Sequence, residues 1–251
     1  MKESLLIVTQ SYSQVSSRCE QIARENARGS ECYITFKWYH WGEIQRGSMP
    51  LARNPRRRME LAEQIKQRAV IVNGDYVAVA HESLFPAGRD ISKALRKMRV
   101  HGNEHPVFIH AYDPVAKALK QRGISRIIVL GDRSQMEPKD TKRFFSRRHG
   151  IQLARYKRCL HLNADAELIY GIIQELRSLQ RTDYMLRKIV ERYVKDVLKE
   201  EKHRKAGAVV ILDADLANLM KVAKVETIAG LPVFDAWEMF YDEIACIVRG
   251  K

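Results

Sequence analysis

Short β-branched runs alternate with helical patterns almost from one end of the chain to the other, and this alternation limits the fold more than any motif does. The runs are Leu5–Val8, Cys32–Phe36, Tyr76–Ala80, Val107–His110, Arg126–Leu130, Gln152–Tyr156, Ala208–Leu212 and Pro232–Phe234. Strands separated by helices pair in parallel through βαβ crossovers, so the expected class is α/β with parallel sheets. Eight strands are many for one small sheet, and 251 residues suffice for one large unit or for two modest ones sharing a cleft.

The helices between the strands carry their own punctuation. Asn54 is a capping residue followed by Pro55 at the first helical position, and Asn73-Gly74 supplies a left-handed stop before the next strand. Asp113-Pro114 opens another helix that Gly123 closes. Leu186, Ile189, Val190, Tyr193, Val194, Val197 and Leu198 form one apolar stripe at helical spacing, which reads as core rather than as a cofactor box.

Composition narrows the function classes. With 45% apolar residues and no apolar run approaching a membrane span, the chain reads as a soluble globular protein. The apolar run near the N-terminus is short and no small-residue cleavage site follows it, so a cytoplasmic location is expected. Cys19, Cys32, Cys159 and Cys246 contain no CxxC pair, so neither a zinc site nor a disulfide framework is expected. His101 and His105 share a loop with Glu104, but an HxxxH outside a helix lacks zinc-binding geometry. No P-loop, GxGxxG or Gly-x-Ser-x-Gly occurs, and no cofactor or metal is expected.

The 44 Lys+Arg against 30 Asp+Glu give a formal charge of +14, which makes an acidic partner or a nucleic acid a standing alternative. Basic residues gather at Arg53 to Arg58, Lys139 to Arg148, Arg155/Lys157/Arg158 and Lys199 to Lys205.

In open α/β sheets ligands bind beyond the carboxyl ends of strands, so the residues following each strand are where chemistry is sought. After the first strand come Thr9, Gln10, Ser11, Tyr12 and Ser13; after the third, His81, Glu82 and Ser83; after the fifth, Gly131, Asp132, Arg133, Ser134 and Gln135. Asp213-Ala214-Asp215 follows the seventh and Asp235-Ala236-Trp237 the eighth.

The stretch HPVFIHAYDPVAKALKQRGISRIIVLGDRSQM, His105–Met136, resembles the centre of the aspartate/glutamate racemase superfamily, especially its aspartate racemase branch. GLPVFDAWEMFYDEIACIV, Gly230–Val248, is similar to that family's final strand and helix, and AGAVVILDADLANL sits where the family has its Gly-Cys-Thr-Glu strand tip. The resemblance spans nearly the whole chain. It implies two similar α/β domains facing each other across a cleft, with residues 1–104 plus 229–251 forming the first and 105–228 the second. It also implies a homodimer and a small-molecule ligand between the domains.

The family's chemistry uses two cysteines, one from each domain, to remove and replace an α-proton without a cofactor. By that resemblance the first cysteine falls on Ala80 and the second on Asp213, with the family's threonine on Ala214 and its glutamate on Asp215. The Gly-Thr becomes Gly131-Asp132, the later threonine Gln135, and the carboxylate-gripping lysine falls on Leu168. Glu82, Asp132, Asp213 and Asp215 would concentrate negative charge where dicarboxylic amino acids bind, repelling them.

The expectation is therefore a racemase-like protein without racemase activity, acting as a binding or regulatory protein. A ligand in the cleft would meet Thr9, Gln10, Ser11, Ser83, Asp132, Arg133, Ser134 and Asp215. One alternative is a diverged isomerase or lyase in which Asp213 works with His81 or Glu82 as an acid/base pair. Against it stands a plainer role: Asp213 or Asp215 caps the following helix, and His81 packs.

Overall fold

A computed structural model of the chain describes residues 3–10, 18, 21–22, 34–41, 54–79, 87–98, 105–131, 139–154, 169, 171, 184–200 and 206–248. Each of the eight expected strands is present. In chain order they are β1 (Glu3–Gln10), β2 (Ile34–Trp41), β3 (Tyr76–Val79), β4 (Val107–His110), β5 (Arg126–Leu130), β6 (Gln152–Leu153), β7 (Ala208–Ile211) and β9 (Leu231–Asp235). A two-residue strand, β8 (Thr227–Ile228), adds an antiparallel edge to β9. The helices are α1 (Pro55–Ile71), α2 (Gly88–Leu95), α3 (Asp113–Gln121), α4 (Lys139–Lys142), α5 (Tyr184–Glu200), α6 (Ala214–Val222) and α7 (Ala236–Val248).

The strands form two sheets, ordered β2-β1-β3-β4 and β6-β5-β7-β9-β8, and every pairing but the last is parallel. In the first sheet the chain leaves β1 toward β2 and then returns to the other side of β1 for β3. The second repeats this with β5 toward β6 and then β7. Each sheet thus has a topological switch point, β1/β3 in one and β5/β7 in the other, where the crossovers diverge and open a crevice at the carboxyl edge.

The central strands β1, β3, β5 and β7 are buried on both faces along their described inner residues, as strands of parallel sheets are. In the first sheet, Leu6, Val8, Val77 and Val79 pack with Leu61, Ile65 and Ala69 of α1 and with Ile91 and Leu95 of α2. Leu5, Ile7 and Ala78, which alternate with them, are equally buried. The Asn54 side chain accepts the Arg57 N–H at 3.1 Å, capping α1 as its sequence predicts. At the other end Gly74 donates to the Ala69 carbonyl at 2.8 Å, but the left-handed residue is Asn73, with φ of 51°. The Arg58 guanidinium meets Asp90 at 3.0 Å and ties α1 to α2.

In the second sheet Ile128, Leu130, Val209 and Ile211 pack with Val190, Tyr193, Val194 and Val197, the expected stripe of α5, and with Leu216 and Met220 of α6. Each fully buried aliphatic side chain of this kind stabilises the unit by about 1.5–3 kcal/mol.

The domain limits differ from those expected. Two compact units comprise Met1–Asp113 with Phe240–Lys251, and Pro114–Met239. β4, expected to open the second domain, pairs with β3 in register from Tyr76↔Val107 to Val79↔His110. β9, expected to complete the first domain, pairs with β7 through Val209↔Val233 to Ile211↔Asp235, and only the later part of α7 groups with the first unit. The reason is that the edge of a parallel sheet is claimed by whichever strand fits its register, which the local pattern of one strand does not encode. No helix among the described residues is long and apolar enough to cross a membrane.

Candidate functional site

The β7 run AVVI is wholly buried, and the chain emerges from it through Leu212 into Asp213, itself 0% exposed. A carboxylate is tolerated there because the backbone turns directly into α6. Asp213 Oδ1 accepts the N–H of Leu216 at 2.9 Å and of Asp215 at 3.1 Å, with Asp213 in the extended conformation of a helix N-cap. Two of the helix's orphan donors are thereby satisfied. Of the readings weighed from the sequence, the structure bears out the capping role for Asp213. Asp215 is the second residue of α6 and receives that cap rather than forming it.

The neighbouring strand ends the same way. Asp235 Oδ1 accepts from Trp237 N at 2.8 Å and Glu238 N at 3.1 Å, opening α7. Burial pushes the Asp235 carboxyl above its ordinary value of 3.8, opposed by those two N–H donors and by Lys221, while nearby Glu238 adds to the rise. Lys221 meets Glu238 at 2.8 Å on the surface.

Trp237 binds the two tips together. Its ring is 2% exposed and its indole N–H donates to the Leu212 carbonyl at 2.9 Å, while Leu212 N donates to the Leu130 carbonyl at 2.8 Å. Both polar groups of the peptide segment preceding Asp213 are therefore engaged, and the β7 tip is fixed from two sides. Gly131, buried, follows Leu130 on the adjacent strand.

The tip of β4, in the first unit, holds a residue that the sequence reading passed over. His110 is 5% exposed, and its Nδ1 accepts the Tyr112 N–H at 3.2 Å, so the neutral ring carries its proton on Nε2. Its backbone N–H donates to Asp113 at 3.3 Å. The ring lies over the first residue of α2: a Cβ on Gly88 would fall 2.7 Å from Cδ2 and 3.1 Å from Nε2. His110 pairs in register with Val79, the last residue of β3. The strand-tip rule that nominated the other residues finds His110 when applied to HAYDP as well.

A search of solved structures finds full-length likenesses. A Yersinia pestis protein assigned as an Asp/Glu racemase aligns over 98% of this chain and 99% of its own, with 17% identity and a TM-score of 0.72. An aspartate racemase homologue from Pyrococcus horikoshii OT3 aligns over 99% and 100%, with 14% identity and a TM-score of 0.66. This chain has the fold of the Asp/Glu racemase superfamily. The maleate isomerase Iso from Pseudomonas putida S16 shares it at 11% identity and a TM-score of 0.52, over 98% of this chain and 92% of its own. No protein-family model and no curated protein matches the sequence. At such identities the likeness establishes the fold and leaves the chemistry to the site.

Within this racemase-type fold the sequence-predicted residues fall unevenly. Asp213 and Asp215 lie together at the β7 tip, on the β5/β7 switch point. Thr9 and Gln10 end β1, beside the β1/β3 switch point of the first sheet. Ser11, Ala80, His81, Glu82, Ser83, Asp132, Arg133, Ser134, Gln135 and Leu168 lie outside the described residues. Of the four cysteines, Cys246 lies exposed on α7, and Cys19, Cys32 and Cys159 lie outside the described residues. His105 Nδ1 sits 2.5 Å from the Met98 carbonyl oxygen, and among the described residues no three His, Cys, Asp or Glu side chains converge as a metal site.

Proposed function

We propose that this protein uses the racemase-type scaffold to bind a small molecule, and that it does not run a two-thiol proton exchange. The supporting observation is Asp213. At the β7 tip, where the resemblance puts one of the family's cysteines, stands a wholly buried aspartate whose Oδ1 holds two helix N–H groups. A group that moves protons needs access to substrate and freedom to change its bonding through the reaction. A carboxylate that fixes the first turn of α6 meets the demands of a structural cap instead. The resemblance places the other cysteine at Ala80, which carries no titratable group.

As candidates for ligand contact we assign Thr9, Gln10, Ser11 and Ser83, which end or follow strands of the first sheet, and Asp132, Arg133, Ser134 and Asp215, which follow strands of the second. These segments follow the strands that flank the two switch points. Their acidic members argue against aspartate and glutamate as ligands.

A second reading draws on the maleate isomerase that shares the fold: a diverged isomerase or lyase that uses Asp213 with His81 or Glu82. One experiment separates the two. Carboxylic acids, amines and neutral metabolites are screened by thermal shift, and each hit is followed by NMR for chemical change. Ligands that raise the melting temperature and stay intact support the binding reading. A hit converted to product, with turnover abolished by Asp213→Asn in a protein of unchanged stability, overturns it.

A further inference from the structure

The basic run at Lys139 to Arg148 has no part in the site above, and the structure gives it a definite form. α4 continues into a π-helical segment, Arg143–Arg148, that leads toward the edge strand β6. The inward positions are Thr141 and Phe145, 6% and 0% exposed. The outward positions are Lys142, Arg143, Arg147 and Arg148, all exposed and all cationic. Because a π-helical turn closes between residues five apart, Arg143 and Arg148 lie on one side of it.

Other basic helices of this protein neutralise their charge locally. Arg56 pairs with Glu60 at 3.0 Å, Lys195 with Glu191 at 2.9 Å and Lys199 with Asp196 at 3.0 Å, each within about a turn. Asp140 of α4 is the nearest acidic residue, none follows from Lys142 to Leu153, and Lys142 and Arg147 make no ion pair among the described residues. An aromatic ring sits within this array. Half-buried Phe144 has the Arg148 guanidinium 5.5 Å from its centroid and the His149 ring 4.8 Å away.

We propose that this face binds single-stranded nucleic acid, with the cations on the phosphodiester backbone and the Phe144/His149/Arg148 group offering planar surfaces for bases. The chemistry argues against a bilayer surface, because the large exposed apolar side chains among the described residues are Met59, Val70, Ile71, Val107 and Val222, none on this segment. The proposal is independent of the ligand reading above, and either can fail alone.

The test is fluorescence anisotropy of the full chain with labelled oligouridylate and oligothymidylate of about 20 nucleotides. Four phosphate contacts predict a log–log salt slope of about −2.8, an affinity loss of about 50-fold between about 50 and 200 mM salt. The triple variant Arg143→Gln/Arg147→Gln/Arg148→Gln, checked for folding by circular dichroism, should flatten the slope to about −0.7. If that variant unfolds, Lys142→Glu/Arg147→Glu carries the test, because neither side chain forms an ion pair among the described residues, and it should lower affinity at least tenfold. Absence of binding at about 50 mM salt overturns the proposal. So does unchanged binding by a folded variant, or capture of heparin or phosphatidylserine vesicles without either oligonucleotide.

Discussion

Replacing Asp213 by alanine removes the acceptor that Leu216 N and Asp215 N share. Loss of an N-cap costs about 0.5–2 kcal/mol, and burial of the Leu216 N–H puts this cap at the upper end. A loss near 2 kcal/mol lowers the melting temperature by about 4–8 °C. Asp213→Asn keeps an amide oxygen at the same position, and asparagine caps helices as well as aspartate does, so its cost should stay below about 1 kcal/mol. The assay is urea unfolding at neutral pH followed by circular dichroism, with all three proteins compared at matched slope. An alanine variant as stable as the parent refutes the capping account. An asparagine variant as damaged as the alanine one refutes it too, because it would mean that the charge and not the acceptor matters.

Four further outcomes follow from the same geometry. Gly88→Ala places a methyl group 2.7 Å from His110 Cδ2, and the buried ring has no room to retreat, so a loss of about 1–3 kcal/mol is expected that shrinks in a His110→Ala background when a double-mutant cycle is measured. Burial raises the Asp235 carboxyl above 3.8, so the folded state keeps its proton where the unfolded chain has released it. That contribution is fully present below pH 3.8 and is lost as pH rises through the folded value; Asp235→Asn, which still caps α7, should therefore flatten the decline in stability seen on raising the pH above 3.8 in unfolding titrations. Trp237→Phe takes away the indole donor to the Leu212 carbonyl and should cost about 1–3 kcal/mol, read by thermal melting. Lys221→Ala breaks a pair whose side chains are 60% and 41% exposed, so stability should change by under about 1 kcal/mol in the same melts.

Much of this fold is legible in local sequence because the inner residues of its central strands are buried. Runs such as Ile127-Ile-Val-Leu130 and Ala208-Val-Val-Ile211 are continuous apolar segments of the kind a parallel sheet covered on both faces accommodates. Capping is equally local: Asn54 and Asp213 are visible because a cap is decided within four residues. β2 is harder to delimit. Lys37 and His40 interrupt the apolar pattern after Phe36, yet the strand runs to Trp41 because β1 pairs along its whole length, from Glu3↔Ile34 to Gln10↔Trp41. The placement of β4 and β9 is a matter of long-range register, which neither strand's own residues determine. The π-helical turn at Arg143–Arg148, which holds the fully buried Phe145, has no marker in its own residues. His110 needed only an even-handed reading of every strand tip.

The proposed function rests on a buried helix cap, Asp213, at the position where the resemblance puts a thiol. Its most direct test is the ¹H NMR signal of the α-proton of D- and L-aspartate and D- and L-glutamate incubated with the wild-type protein in deuterium oxide. The account predicts that the signal persists, matching a protein-free control. Wash-out of the α-proton that is catalytic in the protein and abolished by alkylating its cysteines would contradict it.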